Sequence, residues 1–372
     1  MPSSLHAPRP GQSLGFRCYP HVSNETTLGP PEGMLWSSLR ALTSRGVALN
    51  IAHRHGIRRL RARHAAAHSV ALYVQQASEF YEVAHTAKPD TAPLIYYYSF
   101  LNLAKALCEL NAPRLHQRPE CYHHGIAWRP NPRAVVNLNR EVVSITGRGV
   151  WHLLWETLVG APCPAPNPLR LRIRELFSFC PEVSIEFARV FPTRSRLLDL
   201  IEPDILHDAG AATVWTRFSL HRADLQLLRR SVPQVLALID NGRGGYTEVQ
   251  APEPHLRTFQ TTNPVNVDQN AFDAIHPDIA RFNLFTSLER GDIHYYVPQA
   301  TLPIRLPQIV VLYSILFWLG SLVRYDPHSL RFLMDSPAWI LLTGFMSQSR
   351  VWLLELFEWA IYKVETTLNS AR

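Results

Sequence analysis

The 372-residue sequence predicts a mainly α-helical protein, a multi-helix bundle-like domain with a small mixed α/β middle section. Three observations lead there. Apolar residues recur at helical spacing over Arg58–Ala84, over the tyrosine-rich run Leu94–Leu110 (LIYYYSFLNLAKALCEL) and over the aromatic C-terminal run Arg350–Glu365. The uncharged stretch Ile309–Val323 falls short of the ~20 residues of a bilayer span and reads as a buried core helix, so no membrane span is expected. Strand-like alternation is clearest in the middle of the chain, at Thr213–Leu220.

The elements follow in order. Residues 1–33, rich in Pro, Gly, Ser and Thr, read as an irregular arm. An N-terminal helical region spans 34–160. It opens with a helix over Met34–Ser44, closed by Gly46, and continues with the helix over Arg58–Ala84. Pro93 suits the start of the tyrosine-rich helix. Residues 112–147 look irregular, and Val150–Val159 forms a short helix. Ala161–Pro168 (APCPAPNP) is a linker into the middle section, 161–262. There Ile173–Phe179, Pro181–Phe191, Ala223–Arg230 and Pro233–Ile239 read as helices, and the turn Asn241–Gly245 leads to a second strand at Tyr246–Gln250. The last region, 263–372, returns to helix from His294–Gln299 (HYYVPQ) onward and packs on the N-terminal one.

Composition narrows the function classes. With 47 % hydrophobic and 18 % charged residues the chain is globular, and its net charge of +7 is compatible with a polyanionic partner such as RNA. Five cysteines without a C-x-x-C pair disfavour a disulfide framework or zinc knuckle. The N-terminal MPSSLHAPRPGQSLGF lacks the continuous apolar run of a signal peptide, so a cytoplasmic setting is expected. NGRGG at Asn241–Gly245 lacks the Lys-Ser/Thr pair of a phosphate-cradling loop. The sequence holds no G-x-S-x-G elbow, H-E-x-x-H, Walker loop or Rossmann fingerprint, which disfavours the common hydrolase, zinc-protease and ATPase classes.

Several blocks together resemble the YaaC-like family of bacterial proteins. They are QQASEFYEVA and APLIYYYSFLNLAKAL within Gln75–Leu107, the His124–Gly125 pair, and PQIVVLYSILFWLGSLVRYDPHSL at Pro307–Leu330, followed by the aromatic final helix. The resemblance implies little biochemistry. A looser, fold-level similarity to the helical HEPN superfamily implies more, because its members include RNases and nucleotide-associated modules.

That second similarity implies a metal-independent RNase site in Arg63-His64-Ala65-Ala66-Ala67-His68. His68 would be the acid or base and Arg63 would stabilise phosphate charge, with two copies meeting in a homodimer. Residues five apart on a regular helix point about 140° apart, so the pair needs a helix start or kink to converge. His64 and His68 could also share a metal ion, with His123 or His124 as third ligand, although neither a metal nor another cofactor is expected. Arg54, Arg58, Arg59 and Arg61 could contact nucleic-acid phosphates.

The residues themselves suggest a binding cleft. Ser99, Asn102, Lys105 and Glu109 form one polar arc of the tyrosine-rich helix, with Tyr98 beside it. Arg324 ends the long apolar helix, and packing of the two blocks would let it join Tyr98, Asn102 and Lys105 in gripping an anion. The leading expectation is a protein that binds an anionic ligand, nucleic acid or protein partner in an accessory or defence setting. The rivals are the RNase and a structural subunit that docks a partner through an exposed aromatic patch at Trp352, Phe357 and Trp359.

Overall fold

The computed structural model describes residues 21–22, 31–113, 115–130, 136–164, 168–191, 197–208, 213–227, 232–239, 245–262, 265–266, 285–289, 292–298, 304, 306–362 and 367–368. Most of the N-terminal arm and the turn residues 240–244 lie outside them. Helix formation begins at Pro31, whose fixed φ suits a first turn. Helix α1 (Pro31–Arg40) passes through a 3-10 turn, Ala41–Thr43, to α2 (Arg45–Arg54). The helix expected over Met34–Ser44 is α1 with its 3-10 turn, but extended Ser44 ends it rather than Gly46, which sits inside α2.

Helices α3 (Leu60–Thr86) and α4 (Ala92–Asn111) form an antiparallel hairpin. Tyr81 packs edge-on to Tyr96, Ser99 Oγ donates to Ala77 O at 2.7 Å, and Lys105 lies over the Tyr73 ring. Helix α4 is buried on nearly every side, as an almost wholly apolar helix must be. The helices that follow are α5 (Val150–Val159), α6 (Ile173–Phe177), α7 (Ser184–Val190), α8 (Arg222–Leu227), α9 (Val232–Ile239), α10 (Gln308–Tyr325), α11 (Pro327–Met334), α12 (Trp339–Gly344) and α13 (Arg350–Tyr362). A π-helical turn, Phe345–Ser349, joins the last two.

The short strands β1 (His21–Val22) and, at the far end, Thr367–Leu368 pair in parallel. Strands β2 (Ile126–Ala127), β3 (Val142–Ile145) and β4 (Leu169–Arg172) form an antiparallel sheet, with Ile145 opposite both Ile126 and Leu169. The expected irregular stretch 112–147 and the linker's edge thus carry strands, too short for their alternation to stand out. A larger sheet contains β5 (Leu197–Asp208), β6 (Thr213–His221), β7 (Tyr246–Val249), β8 (Leu256–Thr261), β9 (Val265–Asn266), β10 (Phe285–Glu289) and β11 (Asp292–Pro298). Its order is β10-β11-β5-β6-β8-β7, with β9 beside β6. The helix expected from His294 onward is corrected: His294–Pro298 is strand, with Tyr295 and Val297 registered on Leu200 and Leu198.

Helix α10 runs through the centre. It has the length and mean hydropathy (1.4) to cross a bilayer, yet 83 % of it is buried inside this chain. Gly320 brings it onto α4, since a Cβ there would lie 3.2 Å from Tyr97 Cβ. Ser314 Oγ donates to Val310 O and accepts from Trp151 Nε1 at 3.0 Å, which fastens α5 to α10. On α13, Phe357 stacks on Phe100 and Trp352 meets Trp359 edge-on. Trp352, Phe357 and Trp359 are 3, 0 and 5 % exposed, which corrects the expected docking patch: their rings fill the core instead.

Two further α13 side chains matter for stability. Arg350 enters a clasp of Glu32, Tyr81, His85 and Tyr96. Glu355 is 1 % exposed and its Oε1 has no hydrogen-bond partner. Burial, and then the neighbouring Glu358, push its carboxyl up to about 8. An unfolded glutamate titrates near 4.5. Between those values the folded chain holds a proton that the unfolded chain has lost. Glu355 therefore lowers stability as pH rises through that window, by about 1.4 kcal/mol per pH unit. Glu355→Gln, which cannot ionise, is expected to flatten the fall of the urea midpoint between pH ~5 and ~8 relative to wild type. Parallel curves for the two proteins would contradict this.

Candidate anion-binding site

The site is built on one stripe of α4. Tyr98, Asn102 and Lys105 are spaced four and three residues apart and so share a face. Asn102 Nδ2 donates back to Tyr98 O at 3.1 Å, and the residue is 7 % exposed, so it shapes the stripe from within. Lys105 is half-buried, its Nζ 5.8 Å from the Tyr73 ring centre. Arg324, in the last turn of α10, reaches the same stripe, where its Nη1 donates to Tyr98 Oη at 3.3 Å. Its guanidinium also lies 5.0 Å over the ring of Tyr325. Arg324 thus meets the α4 stripe at Tyr98, about two helical turns from Lys105 on the same face.

The third wall is the loop that carries His124. The first N–H groups of a helix lack partners within it, and this loop supplies them for α5. Val150 N donates to His123 O at 2.9 Å and Trp151 N to His124 O at 3.0 Å. Two glycines permit so close a crossing. Gly125 takes φ +72°, and a Cβ on Gly149 would lie 2.3 Å from Gly125 N.

The loop aims His124 Nδ1 at Tyr97 Oη, 2.6 Å away, and Tyr97 Oη lies 3.2 Å from Tyr313 Oη. Burial holds both phenols well above their ordinary range, so they stay protonated. Burial also lowers the His124 pKa, helped by the positive charges of Lys105, Arg324 and His123. Its imidazole is neutral at pH 7. The Tyr313–Tyr97–His124 chain can run in either direction, and where Tyr97 donates to Nδ1 the ring hydrogen lies on Nε2. Lys105 and Arg324 are thus both near enough to His124 to bear on its charge.

The other predicted residues lie elsewhere. Arg63 and His68 share the continuous helix α3, which has neither start nor kink between them, and they are not brought together. Arg63 donates to Ile57 O and Arg58 O at 3.1 and 3.0 Å, which fastens the α2–α3 junction. His68 is exposed, and His64 Nδ1 sits 3.2 Å from an Arg45 nitrogen. Arg54, Arg58, Arg59 and Arg61 are exposed around that junction, roughly 30 Å along α3 from its aromatic end at Phe80. Among the described residues no group of three His, Cys, Asp or Glu side chains is placed to hold a metal ion. Cys108, Cys121, Cys163 and Cys180 form no disulfide there.

The sequence alone does not point to Tyr97 or Tyr313 as site residues, and it offers His124 only as half of the His-Gly pair and as a spare metal ligand. The His-Gly pair was the available signal for the loop. Tyr313 lies 216 residues from its partner, and only packing reveals the pairing.

Helical layers around a central apolar helix, with antiparallel sheets appended, define a mainly α protein whose polar site sits where the two helical blocks meet. The family model described as YaaC-like Protein matches residues 43–360, and the chain belongs to that family. The match lends no support to the HEPN similarity. No curated protein and no solved structure matches the chain.

Proposed function

We propose that this YaaC-like chain binds an anionic ligand between Lys105 and Arg324, with Tyr98 Oη and His124 Nε2 as further hydrogen-bonding groups. The observation that supports the reading is that two cations without a carboxylate partner bear on one half-buried imidazole, Arg324 reaching at Tyr98 the same α4 face that carries Lys105. Arg40, Arg148, Arg257, Arg331 and Arg350 each have a carboxylate within ion-pair distance. Among the described residues, neither Lys105 nor Arg324 has one. An anion seated there would supply the missing counter-charge and accept from preorganised donors, the strong form of hydrogen bond.

Calorimetric titration with inorganic phosphate tests this. Wild type is expected to show saturable binding. Lys105→Ala and Arg324→Ala are each expected to weaken it on the order of tenfold or more, the weight of a hydrogen bond to a charged group. Arg324→Lys should lie between, because a point charge replaces the planar fork. Equal affinity in wild type and Arg324→Ala would overturn the reading.

A further inference from the structure

The cationic site does not stand in polar surroundings. It is flanked by rings linked through Tyr98 and Arg324. Phe80 on α3 packs against Tyr98, with ring centroids 5.8 Å apart. Tyr98 receives the Arg324 hydrogen bond, and Arg324 covers Tyr325. The two outer rings are open to solvent, Phe80 at 37 % and Tyr325 at 57 % exposure. Like Tyr122 and Phe332 elsewhere, these two rings leave apolar surface open, but here it lies beside a guanidinium that has no carboxylate partner among the described residues. The alternation of ring, cation and ring is the arrangement that takes a flat aromatic group and the charge attached to it.

We infer that the ligand of this site is a nucleoside phosphate, its phosphate held between Lys105 and Arg324 and its base stacked on the exposed rings at Phe80 and Tyr325. This rests on the anion-binding reading and adds the chemical class of what carries the anion. A bare phosphate or a sugar phosphate would use the cations and leave both rings wet. A base stacked on them covers apolar surface that the fold leaves open.

The test compares three probes on the full chain: inorganic phosphate, ribose phosphate and AMP. AMP is expected to bind on the order of tenfold more tightly than ribose phosphate, the usual scale of base–aromatic stacking. The gap should close in Phe80→Ala/Tyr325→Ala. Both residues are exposed, so this variant should keep the wild-type circular dichroism, and its affinity for ribose phosphate shows how much of its loss for AMP comes through Arg324 and Tyr98. Equal affinities of wild type for AMP and ribose phosphate would overturn the inference and leave the anion site standing. Failure of all three probes would remove the anion site, and the inference with it. A single-stranded oligoribonucleotide that binds far more tightly than AMP would replace the mononucleotide with a strand and overturn the inference as stated.

Discussion

Gly149→Ala is expected to destabilise the protein by more than about 3 kcal/mol and to dismantle the site. The backbone of Gly149 is extended (φ 167°), so strain is not the reason. The added methyl would lie 2.3 Å from Gly125 N, 2.5 Å from Gly125 Cα and 2.8 Å from His123 O. These are backbone atoms and cannot rotate away. The His123–Gly125 loop would have to lift off α5, losing the bonds from Val150 N and Trp151 N and withdrawing His124 from Tyr97. Gly147→Ala is the control. Gly147 has φ +59° but nothing within 4 Å of the added methyl, so its cost is about 1–2 kcal/mol of backbone strain. Urea unfolding of the two variants checks the difference, and equal midpoints would contradict it.

Arg350→Met is expected to cost about 3 kcal/mol, the low end of the range for breaking a buried ion pair, because the clasp keeps some solvent contact. Arg350 Nη2 lies 3.0 Å from Glu32 Oε1, and the two side chains are 16 and 20 % exposed. Its Nη1 also donates to Glu32 Oε2, Tyr81 Oη and Tyr96 Oη at 3.2, 3.3 and 3.1 Å. One guanidinium therefore ties α1, α3, α4 and α13 together. Removing it strands a carboxylate in a poorly hydrated place, with the two phenols left beside it. Glu32→Gln/Arg350→Met removes that stranded charge and is expected to recover more than half of the loss. A double variant as unstable as the sum of the single ones would show that no pairing energy exists.

What could be read from the sequence was mostly local. Val150–Val159 is helical over the expected residues because its apolar positions repeat at helical spacing and Gly160, with φ +76°, ends it in the left-handed region. Thr213–Leu220 alternates, and it is strand β6. Strand β5 shows no such signal: it carries Pro203 and three aspartates, and its place comes from β6 and β11 on either side. The α4 stripe was legible for the same local reason, since Tyr98, Asn102 and Lys105 follow helical spacing, and Arg324 was legible as a last-turn cation.

The arrangement around these residues was not legible, because it is non-local. The partners of Arg350 lie 254 to 318 residues away, and Tyr97 meets Tyr313 across 216. The Arg/His-rich run at His53–His64 and its neighbour His68 showed the opposite problem. Its residue types suggested chemistry, but the helix that carries Arg63 and His68 turns them apart and the chain's own carbonyls occupy Arg63.

The most direct test of the anion site observes His124 itself. Protein with isotopically labelled histidine is titrated with inorganic phosphate, and the His124 ring nitrogens are assigned by comparison with His124→Gln. The Nε2 resonance is expected to move to a plateau in wild type and to stay in place in Lys105→Ala/Arg324→Ala. A His124 signal unmoved in wild type across the whole titration would contradict the proposed site.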